Sequence, residues 1–200
     1  MMEMRLPTRE ELRTAYRRDM IPAFPPSERR PLARIEKAYR EGWYRPWCLF
    51  DDGELIGEAF VLAVKSGYVL FDYLCIEAPR RNGGIGAALV KLLLEKERGN
   101  ILFGEVEIPA FAEDPDLAER RRKFYLRLGA KQARYDTAIF GVPYHTLYWP
   151  DGAQDEAALC LAHRESYQKA FAPHIYAKNV FIPWDRESGI LQKGKWEEEE

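Results

Sequence analysis

The chain has 200 residues, 46% of them hydrophobic, with a mean hydropathy of -0.44 and a formal charge of -2. A chain of this length buries about 70% of its unfolded surface, so it builds a core without disulfides or metals, and no apolar run approaches the roughly 18 residues of a membrane span. Taking the closing acids Glu197–Glu200 from the 32 Asp and Glu leaves 28 against 30 Lys and Arg, a balance that argues against nucleic acid as the partner and reads those four acids as a solvated end.

The opening MMEMRLPTREELRTAYRRD has no apolar core behind a basic start and is not expected to be a secretory signal. Leu12, Tyr16, Met20 and Ile21 recur at helical spacing, as do Leu32, Ile35, Ala38 and Tyr39. Two short helices are predicted, separated by the proline-rich loop Pro22–Pro31. Trp47–Phe50 and Leu55–Val64 read as strands joined by the turn Asp51-Asp52-Gly53, and Tyr68–Ile76 as a third strand, apolar apart from Asp72. A glycine-rich loop then opens a helix with Ile85, Leu89, Leu92 and Leu93 on one face and Gly99 after its end.

Ile101–Ile108 is a fourth strand. Asp114-Pro115 supplies an N-cap and a first-turn proline for a helix that Gly129 stops. Thr137–Val142 and His145–Trp149 are predicted to pair around Gly141-Val142-Pro143. A last helix spans about Asp155–Phe171, and Ile175–Trp184 is apolar without clean periodicity. Alternating strands and helices, then paired strands, predict an α/β (α+β) fold with a mixed sheet covered by helices. Residues 1–150 make the main domain. Residues 151–200 carry too little core to fold alone and are expected to pack on that domain or on a second copy in a homodimer.

Three widely spaced cysteines, Cys48, Cys75 and Cys160, include no C-x-x-C, which excludes a disulfide framework and a zinc ribbon and suits a reducing cytoplasm. His145, His163 and His174 lack metal spacing, so they are read as structural or surface residues and no metal is expected.

Chemistry begins at Arg81-Asn82-Gly83-Gly84-Ile85-Gly86-Ala87, between a strand and a helix. Glycines let the backbone approach a ligand, and the first amides of a helix lack acceptors, which makes an anion site suited to phosphate. No Gly-Lys-Ser/Thr follows, so a Walker loop is excluded. Leu89 stands where a dinucleotide fingerprint needs Gly or Ala. Both failures weaken a nucleotide-binding reading.

Arg81-x-x-Gly84-x-Gly86 after a strand resembles the acyl-CoA pyrophosphate loop of the GNAT superfamily of N-acetyltransferases, whose pattern is Gln/Arg-x-x-Gly-x-Gly/Ala. Phe71–Glu77 resembles the strand before that loop. Arg122–Ala130, where Phe124-Tyr125 precedes Leu128-Gly129, resembles its second signature. The resemblance covers about Leu49 to Trp149. It implies a mostly antiparallel sheet with helices on both faces, splayed at its central strands, with acetyl-CoA as co-substrate in the opening. By resemblance the amides of Arg81, Asn82, Gly83, Gly84, Ile85, Gly86 and Ala87 hold the pyrophosphate. The strand Leu74-Cys75-Ile76 pairs with pantetheine through the backbone of Leu74 and Ile76, while Cys75 is expected in the core, facing away from Asp72.

The resemblance also gives Tyr125 a role. An amine attacking the thioester expels a thiolate with a free pKa of about 8.5, to which a phenol can donate. The helical pattern alone reads Tyr125 and Phe124 as core aromatics. The amine, with a free pKa near 10.4, must lose a proton to a carboxylate. Asp72, Glu105 and Glu107 are the candidates, with Asp72 first and Glu107 second. Asp72 shares side-chain parity with Leu74 and Ile76, and Glu107 with Glu105. A structural ion pair with an arginine is an equal reading of these carboxylates. The expected activity is acetyl transfer to a small-molecule or peptide amine. A non-catalytic acyl-CoA-binding module is the alternative, needing the loop but neither Tyr125 nor a base.

Overall fold

The computed structural model describes residues 2–26, 28–150, 152 and 155–187. Glu197–Glu200 lie outside the described residues, as does Ser27 within the proline-rich loop. The strands are β1 (Met2–Arg5), β2 (Tyr44–Asp51), β3 (Glu54–Leu62), β4 (Tyr68–Ile76), β5 (Ile101–Glu107), β6 (Lys131–Ile139), β7 (Val142–Trp149) and β8 (Val180–Phe181). They form one sheet in the order β1-β2-β3-β4-β5-β7-β6-β8. All neighbours pair antiparallel except β4 and β5.

One face is covered by α1 (Arg9–Ala15), α2 (Ile21–Ala23), α3 (Leu32–Arg40), α6 (Glu156–Ala170) and α7 (Pro173–Asn179). Their Leu12, Ile35, Leu159 and Ile175 meet Phe60, Leu70 and Phe103 of the sheet. The other face is covered by α4 (Ile85–Lys96) and α5 (Pro115–Arg127), whose Leu89, Val90, Leu93 and Phe124 meet Ile56, Val69 and Leu102. No helix among the described residues is long and apolar enough to cross a membrane.

Local chemistry sets the helix ends. Thr8 and Glu11 close a capping box on α1, and Asp114 accepts from Leu117 N at 2.9 Å at the start of α5. Between α1 and α2 the chain widens into a π-helical turn, Tyr16–Met20, which buries Tyr16, Asp19 and Met20.

The split that makes the cleft has two causes. β4 pairs with β5 only from Tyr68↔Ile101 to Phe71↔Gly104. At Gly104 a Cβ would sit 3.1 Å from the Phe71 carbonyl oxygen, so glycine permits this last close contact. Directly beyond it β4 carries a bulge, where Phe60 pairs with Tyr73 but Val61 with Phe71. The extra residue is Asp72, and a bulge bends its strand, here away from β5.

Several expectations need correction. β1 was not anticipated, and β2 begins three residues before Trp47. The β6–β7 turn falls on Phe140 and Gly141, both at positive φ (48° and 79°), rather than on Gly141-Val142-Pro143. Ile175–Trp184 contains the end of α7 and the edge strand β8, which pairs with β6. The bulge also breaks the parity assigned to Asp72. Leu74 and Ile76 face α4 and α5, whereas Asp72 and Tyr73 both face the opposite side, toward Tyr44 and Arg30. Cys75, buried on that same side, therefore does not face away from Asp72.

Candidate active site

Where β4 and β5 part, a cleft of about 530 Å³ opens through the sheet. Leu74, Cys75, Ile76, Arg81, Asn82, Tyr125, Asp72 and Glu107 all line it, so residues up to 53 positions apart meet there. Gly83 to Ala87 continue from its rim into the first turn of α4.

The loop is shaped for an anion. Asn82 (φ 67°) and Gly84 (φ 79°) take left-handed conformations that turn the chain into α4, and Gly84 is its N-cap. Arg81 N is spent on Ala78 O and Ala87 N on Gly84 O. The amides of Asn82, Gly83, Gly84, Ile85 and Gly86 have no acceptor among the described residues. A Cβ on Gly86 would lie 3.5 Å from Phe124, so the turn sits close under α5. The Arg81 side chain does not stand free, because its Nε donates to Ile76 O at 3.0 Å. On β4, Glu77 N donates to Ile56 O of β3. By alternation the backbone groups of Leu74 and Ile76 point the other way, into the opening.

Tyr125, half-buried on α5, stands edge-on to Phe71 (6.0 Å), Phe124 (5.1 Å) and Trp149 (5.9 Å). Trp149 is fixed in turn by its Nε1 donating to Leu128 O at 3.0 Å. The Tyr125 hydroxyl makes no hydrogen bond among the described residues. Burial pushes its pKa up to about 12, so it faces the cleft as a protonated donor.

The wall toward α6 carries the carboxylates. Asp72 accepts from Tyr44 Oη at 2.7 Å and from Arg30 Nε at 3.3 Å. Burial pushes its carboxyl up, against the opposing pull of Arg30. Arg30 is 1% exposed and its backbone N donates to Tyr73 Oη at 2.7 Å, which ties the proline-rich loop to β4. Glu107 pairs with Arg121 of α5 at 3.1 Å. Glu105 accepts from Thr137 Oγ1 at 2.6 Å and from Tyr167 Oη, with His163 Nε2 at 3.2 Å. Burial alone would raise its carboxyl, but His163, Thr137 and Tyr167 together hold it below the usual range.

The sequence reading did not single out Arg30, Tyr44 or Tyr167, and it left His163 as a structural or surface residue. Helical spacing offered one signal, since His163 and Tyr167 are four apart and share a face of α6. Nothing in the sequence pointed that face at β5. No group of three or more His, Cys, Asp or Glu able to hold a metal gathers among the described residues.

A helix N-terminus with open amides beside two parted parallel strands, with a protonated phenol inside, defines an acyltransferase frame. The model of the Acetyltransferase (GNAT) family matches residues 9–130, and the chain belongs to that family. No curated protein matches by sequence. Solved structures do match. A chain described as a GNAT-family acetyltransferase from Bacteroides thetaiotaomicron is 20% identical, with TM-score 0.67, over 81% of this chain and 94% of that one. The ribosomal-protein-S18-alanine N-acetyltransferase of Escherichia coli is 17% identical, with TM-score 0.57, over 78% and 97%. Spermidine N-acetyltransferase of Vibrio cholerae, solved with CoA and spermine, is 11% identical, with TM-score 0.55, over 74% and 94%. At these identities the likeness is one of fold.

Proposed function

We propose that the protein transfers the acetyl group of acetyl-CoA to a primary amine by direct attack of the amine on the thioester. The observation that carries this reading is the row of five open amides, Asn82 to Gly86, at the mouth of a cleft whose inner wall holds the unpartnered Tyr125 hydroxyl. Those amides suit the pyrophosphate, with Arg81 and Ala87 framing them. The backbone of Leu74 and Ile76 suits the pantetheine amides, while Cys75 packs beside them. Tyr125 donates to the departing thiolate, which removes the charge that would drive the reverse step. The chemistry needs no metal.

The acceptor enters from the opposite side, between Phe24, Tyr73, Tyr144 and Tyr167. Glu28, Asp72, Glu105 and Glu107 line this side against Arg121, with Arg30 behind Asp72. This excess of negative charge favours a cationic amine. Spermidine and a ribosomal-protein alanine, named in the titles of structural neighbours, are amines of that class. Asp72 and Glu107 draw such an ammonium into place. Residues 1–150 form the acetyltransferase domain, and the following segment completes its acceptor wall. Three free cysteines suit a cytoplasmic site of action.

The test pairs binding with turnover. Acetyl-CoA is titrated into the parent and Gly84→Asp by calorimetry, and a panel of amines is screened for thiol release with the acetylated product identified by mass. Parental affinity in folded Gly84→Asp would refute the loop's role. Tyr125→Phe keeps the ring and should lower kcat and kcat/KM together, by up to about 10²-fold. Parental turnover with chemistry rate-limiting would return Tyr125 to the core.

A further inference from the structure

The three carboxylates of the β4–β5 opening differ in what stands behind them. Asp72 is backed by Arg30 and Glu107 by Arg121. A guanidinium keeps its protons at any physiological pH, so neither arginine can take one up. Glu105 is backed instead by an imidazole. His163 Nε2 lies 3.2 Å from Glu105 Oε1, yet it is out of line for a hydrogen bond and has no other partner among the described residues. The ring is wholly buried, with its centroid 5.0 Å from Phe103 and 5.6 Å from Tyr167. Its other nitrogen, Nδ1, is 3.3 Å from the hydroxyl of Tyr135, a half-buried residue of β6. Thr137 and Tyr167 hold the Glu105 carboxylate facing both the ring and the cleft.

We propose that Glu105 and His163 act as one proton acceptor for the attacking amine, with Glu105 as the catalytic base in the cleft and His163 as the positioning residue that stores the proton behind it. This rests on the acetyl-transfer reading. In the neutral Nδ1–H tautomer the imidazole donates to the Tyr135 oxygen, and its Nε2 lone pair lies 3.2 Å from Glu105 Oε1, where a turn of the ring brings it into line to share one proton. As the amine nitrogen bonds to the acetyl carbon and the carbon–sulfur bond breaks, the amine proton passes to Glu105 and on to Nε2. The sulfur takes a proton from Tyr125, which is later restored from solvent. The imidazolium, stabilised by the ionised Glu105, then returns its Nε2 proton through Glu105 to water in the cleft, which restores the Nδ1–H tautomer for the next turnover. Tyr135, Thr137, His163 and Tyr167 all lie beyond residue 130, where the family match ends. The C-terminal helix α6 thus adds proton handling that residues 9–130 do not contain.

Other titratable groups face this pair. They are Asp72 from β4, Tyr135 from β6, Tyr144 from β7 and Tyr167 from α6, with Glu156 and Cys160 of α6 beyond Tyr135. Burial keeps the three tyrosines and Cys160 protonated through neutral pH.

His163→Gln and Glu105→Gln provide the test. Glu105→Gln should lower kcat about 10²-fold. His163→Gln should lower kcat less and move the acid limb of the kcat–pH profile to lower pH, because the carboxylate alone then sets it. A shared amine substrate makes its own ionisation common to parent and variant. A folded His163→Gln with the parental limb and rate would overturn the proposal. A second measurement needs neither amine nor acetyl-CoA, so its failure is separable from failure of the acetyl-transfer reading. In NMR spectra of the three imidazoles of the parent, the His163 signals should respond to pH, and Glu105→Gln should change that response. A His163 that keeps one state throughout overturns the proposal even if its own variant misfolds.

Discussion

Glu58 lies mid-strand in β3 with 0% exposure, directly opposite Cys48 on β2 and Cys75 on β4. Its nearest polar neighbours are the Cys75 thiol and Asp19 of the π-helical turn, but neither carboxyl oxygen finds a well-formed hydrogen bond among the described residues. Asp19 is itself held by Arg18. Burial, then the like charge of Asp19, push the Glu58 carboxyl well above the usual range, so the folded chain keeps it protonated. The unfolded chain ionises it near pH 4.3. The folded state then holds a proton that unfolding releases. Its contribution to stability is full below about pH 4.3 and lost as pH rises toward the folded-state value, at about 1.4 kcal/mol per pH unit. Glu58→Gln keeps the shape and removes the proton. Urea unfolding of both proteins at about pH 5.5, 6.5 and 7.5 isolates this residue, because every other titration is common to the two. The stability difference, variant minus parent, should grow by about 1.4 kcal/mol per pH unit. A difference that does not change with pH would mean that Glu58 is ionised in the folded protein, and would refute the reasoning.

Two further outcomes follow from the geometry around the cleft. Gly57→Ala would place a Cβ 2.9 Å from both Cys75 O and Ile76 Cδ1, so it should cost about 1–3 kcal/mol in denaturant unfolding and, on the proposed reading, weaken acetyl-CoA binding by displacing the strand proposed to receive pantetheine. Arg30→Met strands the buried Asp72 carboxylate and should destabilise by about 3–5 kcal/mol, while adding Asp72→Asn should recover much of that loss in a double-mutant cycle.

Much of the frame was legible in the sequence because it rests on near-neighbour rules. Helical spacing marked α3 and α6, Asp114-Pro115 marked the start of α5, and the strand–glycine–helix order of Tyr68–Leu93 marked the glycine turn that opens α4, since open amides and tolerance of positive φ are local properties. Tertiary structure decided the rest. The four residues of β1 and the two of β8 are too short for a periodic signal and are strands only because β2 and β6 offer edges. The face taken by Asp72 depends on a bulge, and a bulge is a relation between two strands: Phe60 and Val61 of β3 skip one residue of β4, which sends Asp72 to Arg30 instead of toward Leu74 and Ile76. Spacing could rank Asp72 and Glu107 but could not show that each meets an arginine. Nor could it bring His163, 58 positions away in the chain, against Glu105, because only the docking of α6 on the sheet puts that imidazole behind that carboxylate.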